Sequence, residues 1–386
     1  MDCPQIRQEF VRYYQSQGFQ SVPPASMLIP SKPMSYVFSC NPPDPPETTE
    51  TSENKFVKIQ SCFRHFDMNT VGMDNQHLSL FEMSGAFHFG NNLHENTIKN
   101  VWQFIEDVLK INSDRIWITY FGGGEFDNHQ LSADKQSYQA WLNVGVSDNK
   151  LVALGIDHNY WIEDRNNKEK PIRKCGPHTE LFYDSGVEPC GINCQPGCSC
   201  GRFIEFVNIR FITSFLKSDI NTIESLDIPF AETVMGIERV AMILQNASSV
   251  FDTSSYANVI NIIHGFVRNT NLRHQLVKQS EYLIADHLRA LCVLIADGAP
   301  EPGRGGRKRI IKLLIRKVLT CQMMLGISSP YFLSTVITAL IKTEGKSLYA
   351  ELKIKEKIKA YFEVESRRFG KKIDHNNLLK DYFYAG

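Results

Sequence analysis

The sequence carries no excess of either charge: 42 Lys and Arg stand against 42 Asp and Glu, a formal net charge of +0 at pH 7. That balance excludes a globally basic field, so any contact with nucleic acid must come from a local patch. No apolar run approaches the length of a bilayer-spanning helix, so no membrane partner is expected. The opening segment also lacks the uninterrupted apolar stretch of a secretory leader, because Asp2, Arg7, Glu9 and Arg12 break it. A cytoplasmic protein is therefore expected. No internal repeat is visible, and the composition is not extreme, which excludes collagen-like, wholly disordered and coiled-coil chains. What is present is a 386-residue chain with 42% hydrophobic and 22% charged residues, long enough for two or three packed domains.

Hydrophobic spacing predicts a helix over residues 5–17 ended by Gly18, and the proline-rich stretch 41–54 reads as a surface loop. Two strand-like runs, 56–66 and 78–89, joined by a long polar loop, predict a hairpin. A helix is expected over 94–111 and strands over 115–120 and 203–211. A further helix is expected over 231–246, with Gly236 at a strand-to-helix junction. Beyond residue 251 the strand signals fade, and 282–295, 310–325 and 348–369 read as helices. The expected division is a mixed unit over 1–248 and a helical one over 249–386.

The hairpin carries the first chemistry. Arg64 at a strand end, His77 after the loop and Phe81 beyond it supply what ATP needs: a bidentate cation for phosphate, a second donor and an aromatic face for adenine. The same pattern also suits a plain hairpin with a surface arginine and core aromatics. The second piece is Met235-Gly236-Ile237-Glu238-Arg239, where the glycine lets a ligand approach the backbone and Arg239 can reach phosphate or cover adenine.

Together these follow the order of the class II aminoacyl-tRNA synthetases. The finer series is Gln60-x-Cys62-x-Arg64, Phe81-Glu82-Met83-x-Gly85, Tyr160-Trp161, Cys175-Gly176-Pro177-His178-Thr179-Glu180, Glu205 with Asn208, Met235 to Arg239, and Ala285-Asp286-His287-x-Arg289 with Ala296-Asp297-Gly298. It resembles the alanyl-tRNA synthetases over roughly residues 5–320. The family's editing and C-terminal modules have no counterpart, so the resemblance is to an aminoacylation fragment. It implies an α+β fold, with an antiparallel sheet flanked by helices and then a smaller helical domain.

It further implies activation of an amino acid with ATP to an aminoacyl adenylate and its transfer to tRNA. The alternative is a paralogue that loads a carrier protein or small molecule with an amino acid other than alanine. On this resemblance Arg64 would hold the α-phosphate and the substrate carboxylate, and His77 the outer phosphates. Phe81 and Arg239 would sandwich adenine, with Gly236 beside them, and Trp161 would wall the amino-acid site. Glu180 is a magnesium or ribose contact on this reading, or else a surface carboxylate.

Departures from the family pattern fall in the amino-acid site. Asn208 and Arg210 share a strand face, and Arg210 stands where the family keeps an apolar residue. The family's Asp-Thr-Gly becomes Glu232-Thr233-Val234, lengthening the carboxylate expected to hold the substrate ammonium and replacing a glycine with valine. Either Arg210 pairs with Glu232, or it faces a polar or anionic substrate side chain; an alanine-shaped pocket is not expected.

Ten cysteines are unevenly placed, and Cys190, Cys194, Cys198 and Cys200 fall within eleven residues. Their C-x3-C-x3-C-x-C spacing, with Gly and Pro turns between, suits one tetrahedral structural zinc, with reduced free thiols as the alternative. Cys175 and His178 are alternative ligands. Arg304, Arg307 and Arg309, followed by Lys312, Arg316 and Lys317, form the densest basic run, fit either to meet the phosphates of a tRNA acceptor stem or to remain a solvated loop.

Overall fold

The computed structural model describes residues 1–30, 35–45, 54–127, 129–165, 170–217, 222–269, 271–343 and 348–369. Of the loop expected over 41–54, residues 46–53 lie outside these. Helix α1 (Cys3–Ser16) starts at Asp2, whose carboxylate accepts the Gln5 N–H while the Gln5 side chain accepts the Asp2 N–H, a reciprocal cap. Its spacing then buries Ile6, Phe10 and Tyr14 on one face.

Among the described residues nine strands form the main sheet: β1 (Gln20–Ser21), β2 (Lys55–Phe63), β3 (Leu80–Phe89), β4 (Ile116–Phe121), β7 (Leu151–Leu154), β8 (Tyr160–Ile162), β9 (Ile172–Asp184), β10 (Phe203–Lys217) and β11 (Thr222–Gly236). A separate small hairpin is formed by β5 (Gly124–Phe126) and β6 (His129–Leu131). The order is β1-β2-β3-β11-β10-β9-β4-β7, with β8 on β9. Among the described residues only β1–β2 and β4–β7 pair in parallel. The expected hairpin is β2–β3, paired from Lys55 opposite His88 to Phe63 opposite Leu80.

Helices α2 (Leu93–Gln103), α3 (Lys135–Asn143), α4 (Ile156–Asn159) and α5 (Ile237–Leu244) accompany the sheet. The strands alternate, so Val207, Ile209 and Phe211 of β10 and Ala231 and Met235 of β11 join α1, α2 and α5 in the main core, leaving the opposite face for polar groups. The helix expected from residue 231 begins only at Ile237. Residues up to Gly236 instead form β11, held by ladders to β10 on one side and β3 on the other. Thr233 and Val234 are β-branched and suit that strand.

All strands among the described residues precede Ile237. After it come α6 (Ala257–Phe266), α7 (His274–Ala296), α8 (Gly306–Met324), α9 (Phe332–Thr343) and α10 (Leu348–Phe369). One apolar core is continuous from Phe10 through Leu288 to Ile337. Helix α7 sits directly against β3. Asp286 accepts the Ser79 N–H at 2.9 Å and the Ser79 hydroxyl, and Arg289 donates to Leu80 O at 3.1 Å and to Glu238 at 2.9 Å.

Candidate active site

A cleft with about 130 Å³ of cavity volume opens where the β2–β3 hairpin, the β11–α5 junction and β10 meet. Arg64 ends β2, donates from Nε to Phe38 O at 3.1 Å, and holds its guanidinium 4.9 Å from the Phe81 ring centroid. Arg239, in the first turn of α5, donates to Glu205 O at 2.8 Å and stands 3.6 Å from the Glu205 carboxylate. His77 closes the loop by pairing Nδ1 with Asp74, which also accepts the Gln76 and His77 backbone N–H groups. Burial opposes ionisation of Asp74, yet these bonds hold its carboxyl down at about 2. The sequence reading of Arg64, His77, Phe81, Gly236 and Arg239 thus falls in one cleft, and Asn208, Arg210 and Val234 line its inner end.

Antiparallel register arranges that inner end in rows. Cross-strand partners put Glu180, Asn208, Val234, Gly85 and Lys58 in one row across the sheet, and His178, Arg210, Glu232, Phe87 and Phe56 in the next. The second row lies two residues, about 7 Å, deeper. Arg210 Nη1 is 3.6 Å from Glu232, and its guanidinium lies 5.6 Å from the Trp161 ring centroid. Asn208 donates to Glu180 at 2.7 Å. Burial, reinforced by repulsion from Glu205, pushes Glu180 up to about 9, so it is neither a surface carboxylate nor an ionised one near neutrality. The carboxylates that line the cleft are Asp67, Glu205 and Glu238. Burial, with Arg210 nearby, pushes His178 down to about 3. Burial also raises the carboxyl of Glu232, and Arg210 and Lys58 oppose it.

The inner end is sealed by a second apolar cluster of Cys40, Phe87, Phe89, Ile212, Phe230 and Val234, against which Trp161 packs. Gly85 is required here, because a Cβ would stand 2.4 Å from Cys40 Sγ. His178 is a residue whose placement the sequence reading missed; the two-residue alternation with Glu180 was the available signal.

The four clustered cysteines lie in the connection from β9 to β10, with their sulfurs within 4.8 Å of one another. Cys190 and Cys198 are 3.2 Å apart and Cys194 and Cys200 3.7 Å apart. Turns aim them inward, with the Cys194 N–H bonded to Gly191 O and the Cys198 N–H to Gln195 O. Arg202 grips both oxygens of Asp184 and closes the base of the loop. The alternative ligands are corrected: Cys175 and His178 lie within β9, with Cys175 buried beside Tyr160 and His178 opposite Arg210.

The basic run divides. Arg304 and Arg309 are exposed at the start of α8. Arg307 is turned inward, donating to the carbonyls of Leu28 (2.6 Å), Pro30 (2.9 Å) and Ser35 (2.9 Å), so its expected phosphate contact gives way to a structural one. Arg316 pairs with the buried Glu365, and Lys317 is itself buried.

A family model described as tRNA synthetases class II (A) matches residues 5–382. The chain is 31% identical over 374 residues to an alanine--tRNA ligase of Desulforamulus reducens, covering 95% of this chain and 40% of the relative. It is 30% identical over 387 residues to that of Borrelia hermsii, covering 97% and 62%. The chain therefore spans about two fifths of the length of the first of these relatives. A pyrrolysyl-tRNA synthetase structure from Desulfitobacterium hafniense aligns with 66% of this chain and 74% of its own at 12% identity and a TM-score of 0.32. Among the described residues no helix is long and apolar enough to cross a membrane.

Proposed function

This chain belongs to the class II (A) tRNA synthetases, and we propose that it activates an amino acid with ATP and passes it to tRNA. An α-carboxylate oxygen attacks the α-phosphorus, the bond to the bridging oxygen breaks in line, and pyrophosphate leaves. No protein nucleophile takes part, so catalysis is positioning and charge neutralisation. Arg64 holds the α-phosphate and the incoming carboxylate, while His77 meets the outer phosphates. Adenine lies between Phe81 and Arg239, over the side-chain-free Gly236. Magnesium, when bound, would neutralise phosphate charge, with Glu205 as a hard oxygen ligand and Glu180 as a further magnesium or ribose contact. Glu232 and Asn208 receive the substrate ammonium above Val234, with Trp161 as the wall.

The observation that carries this reading is the convergence of Arg64 and Arg239, from separate elements, on one cleft with Phe81. ATP–pyrophosphate exchange tests it: Arg64→Ala and Arg239→Ala should each lower the rate at least about a hundredfold, each removing a charged contact made in the transition state. Undiminished exchange in both would remove the reading. The four sulfurs fit a structural zinc by donor type and spacing, and metal analysis of protein prepared under reducing, chelator-free conditions should find about one zinc per chain. Arg304, Lys308 and Arg309 are exposed cations of this run that can meet RNA phosphates. Their replacement by alanine should weaken tRNA binding and its salt dependence while leaving exchange intact.

A further inference from the structure

Resting on that adenylation reading, we propose that Arg307 is a positioning residue for the activation step: from the start of α8 it fixes the backbone that aims Arg64 at the α-phosphate. Arg64 is constrained on two sides. Its guanidinium lies over the Phe81 ring, 4.9 Å from the centroid, and its Nε–H donates to Phe38 O at 3.1 Å. A planar guanidinium fixed by one face and by its Nε edge has its Nη groups turned in a single direction, as a two-pronged grip on phosphate or carboxylate requires. The face contact comes from the paired strand β3, whereas the edge contact depends on where residue 38 stands.

Phe38 does not hold that place through its own side chain, which is 51% exposed. Backbone bonds of the residues before it do so. Val37 O accepts the N–H of Phe63, the residue preceding Arg64, at 2.7 Å, and the Val37 N–H reaches Met27 O at 3.1 Å. Arg307 completes the set. Its Nη2 donates to Leu28 O at 2.6 Å and Pro30 O at 2.9 Å, and its Nε donates to Ser35 O at 2.9 Å. The same guanidinium lies 5.6 Å from the ring centroid of the buried Tyr36, which meets Phe63 edge-on at 5.5 Å. Contacts therefore run unbroken from Arg307 through Ser35, Tyr36 and Val37 to Phe63 and Arg64.

The acceptors that Arg307 has chosen separate it from its neighbours. Among the described residues they are three backbone carbonyls and no carboxylate, drawn from either side of residues 31–34. Arg304 and Arg309, on the same helix start, stay exposed. A fork of fixed shape spent on carbonyls of two stretches sets the course of the main chain, and a lysine, with its point-like ammonium, reproduces only part of it.

ATP–pyrophosphate exchange by the full chain, measured through a double-mutant cycle, separates positioning from general support. Arg307→Met should lower kcat by about tenfold with a smaller change in the KM for ATP, because the Arg64 contact strengthens in the transition state. Arg307→Lys should recover part of that loss. In an Arg64→Ala background no guanidinium is left to aim, so Arg307→Met should lower exchange by less than about twofold further, residues that act through one another being non-additive. Melting curves establish that each variant folds, and Arg307→Lys takes the place of Arg307→Met in the cycle if the latter does not. Equal losses in both backgrounds, or unchanged exchange on replacing Arg307, would overturn the proposal and leave adenylation standing. No exchange by the unaltered protein with any of the twenty amino acids would remove the adenylation reading, and the proposal with it.

Discussion

Glu180 and His178 occupy alternate positions on one face of β9, and burial moves them in opposite directions, up to about 9 and down to about 3. Glu180 is protonated in the folded protein and ionised in the unfolded chain between its ordinary value and about 9, so its contribution falls as pH rises through that window. His178 works the other way: the unfolded chain takes up a proton first, so stability is lost as pH falls below the ordinary histidine value toward about 3. Glu180→Gln keeps a neutral group opposite Asn208 and removes one of these terms. The melting temperature of the variant minus that of the unaltered protein should therefore increase from about pH 5 to pH 9 and then level off. A difference independent of pH would mean that Glu180 is ionised in the fold.

Strands β9 and β10 cross closely at Gly176, where a Cβ would lie 1.9 Å from Phe211 O. Backbone cannot yield as a flexible side chain can, so Gly176→Ala should force the two strands apart and destabilise the protein by about 1–3 kcal/mol or more, read by chemical denaturation. Unchanged stability would mean that the crossing is looser than described. The register shifts between Arg210 and Ser214 opposite this glycine, and that irregularity begins where Arg210 and His178 face each other. Here lies the boundary of what sequence could tell. Alternation was enough to put Asn208 and Arg210 on one face, whereas Arg64, Phe81 and Arg239 were singled out by the ordered family motifs, since their residue types alone also suit a plain hairpin. Which strand lies beside β10, and in what register, depends on long-range pairing that no local pattern encodes. His178 was therefore read as a spare metal ligand, and Arg307 as a phosphate contact, because sequence gives charge without direction. The misplaced start of α5 has the same origin: residues 231–236 pair on both sides with strands distant in sequence, and tertiary pairing overrode the helical reading.

At the scale of the molecule, the helices that follow the sheet hold the catalytic elements in place. Glu238, beside Arg239, accepts the Glu82 N–H of β3 at 3.0 Å and pairs with Arg289 of α7 at 2.9 Å, all three residues being buried. Arg289→Met would leave Glu238 charged and unpaired, which should cost about 3–5 kcal/mol and lower exchange although Arg289 does not line the cleft. Adding Glu238→Gln should return part of the stability by removing the stranded charge. A single variant with unchanged melting and exchange would dismiss this coupling.

The segment beside the cleft is fastened in the same long-range manner. Ser26 and Met27 donate to Asp297 at 2.8 and 2.5 Å, and Arg307 gathers the carbonyls of Leu28, Pro30 and Ser35. That segment leads into Phe38, which receives Arg64, and Cys40, which closes the pocket. Leu28 and Arg307 are 279 positions apart. A ribosome adding about 5–20 residues per second needs roughly 15–55 s to travel from one to the other. For that interval the nascent chain holds Arg64 and Phe81 without the fastening that shapes their surroundings. A competent site therefore arises late in translation.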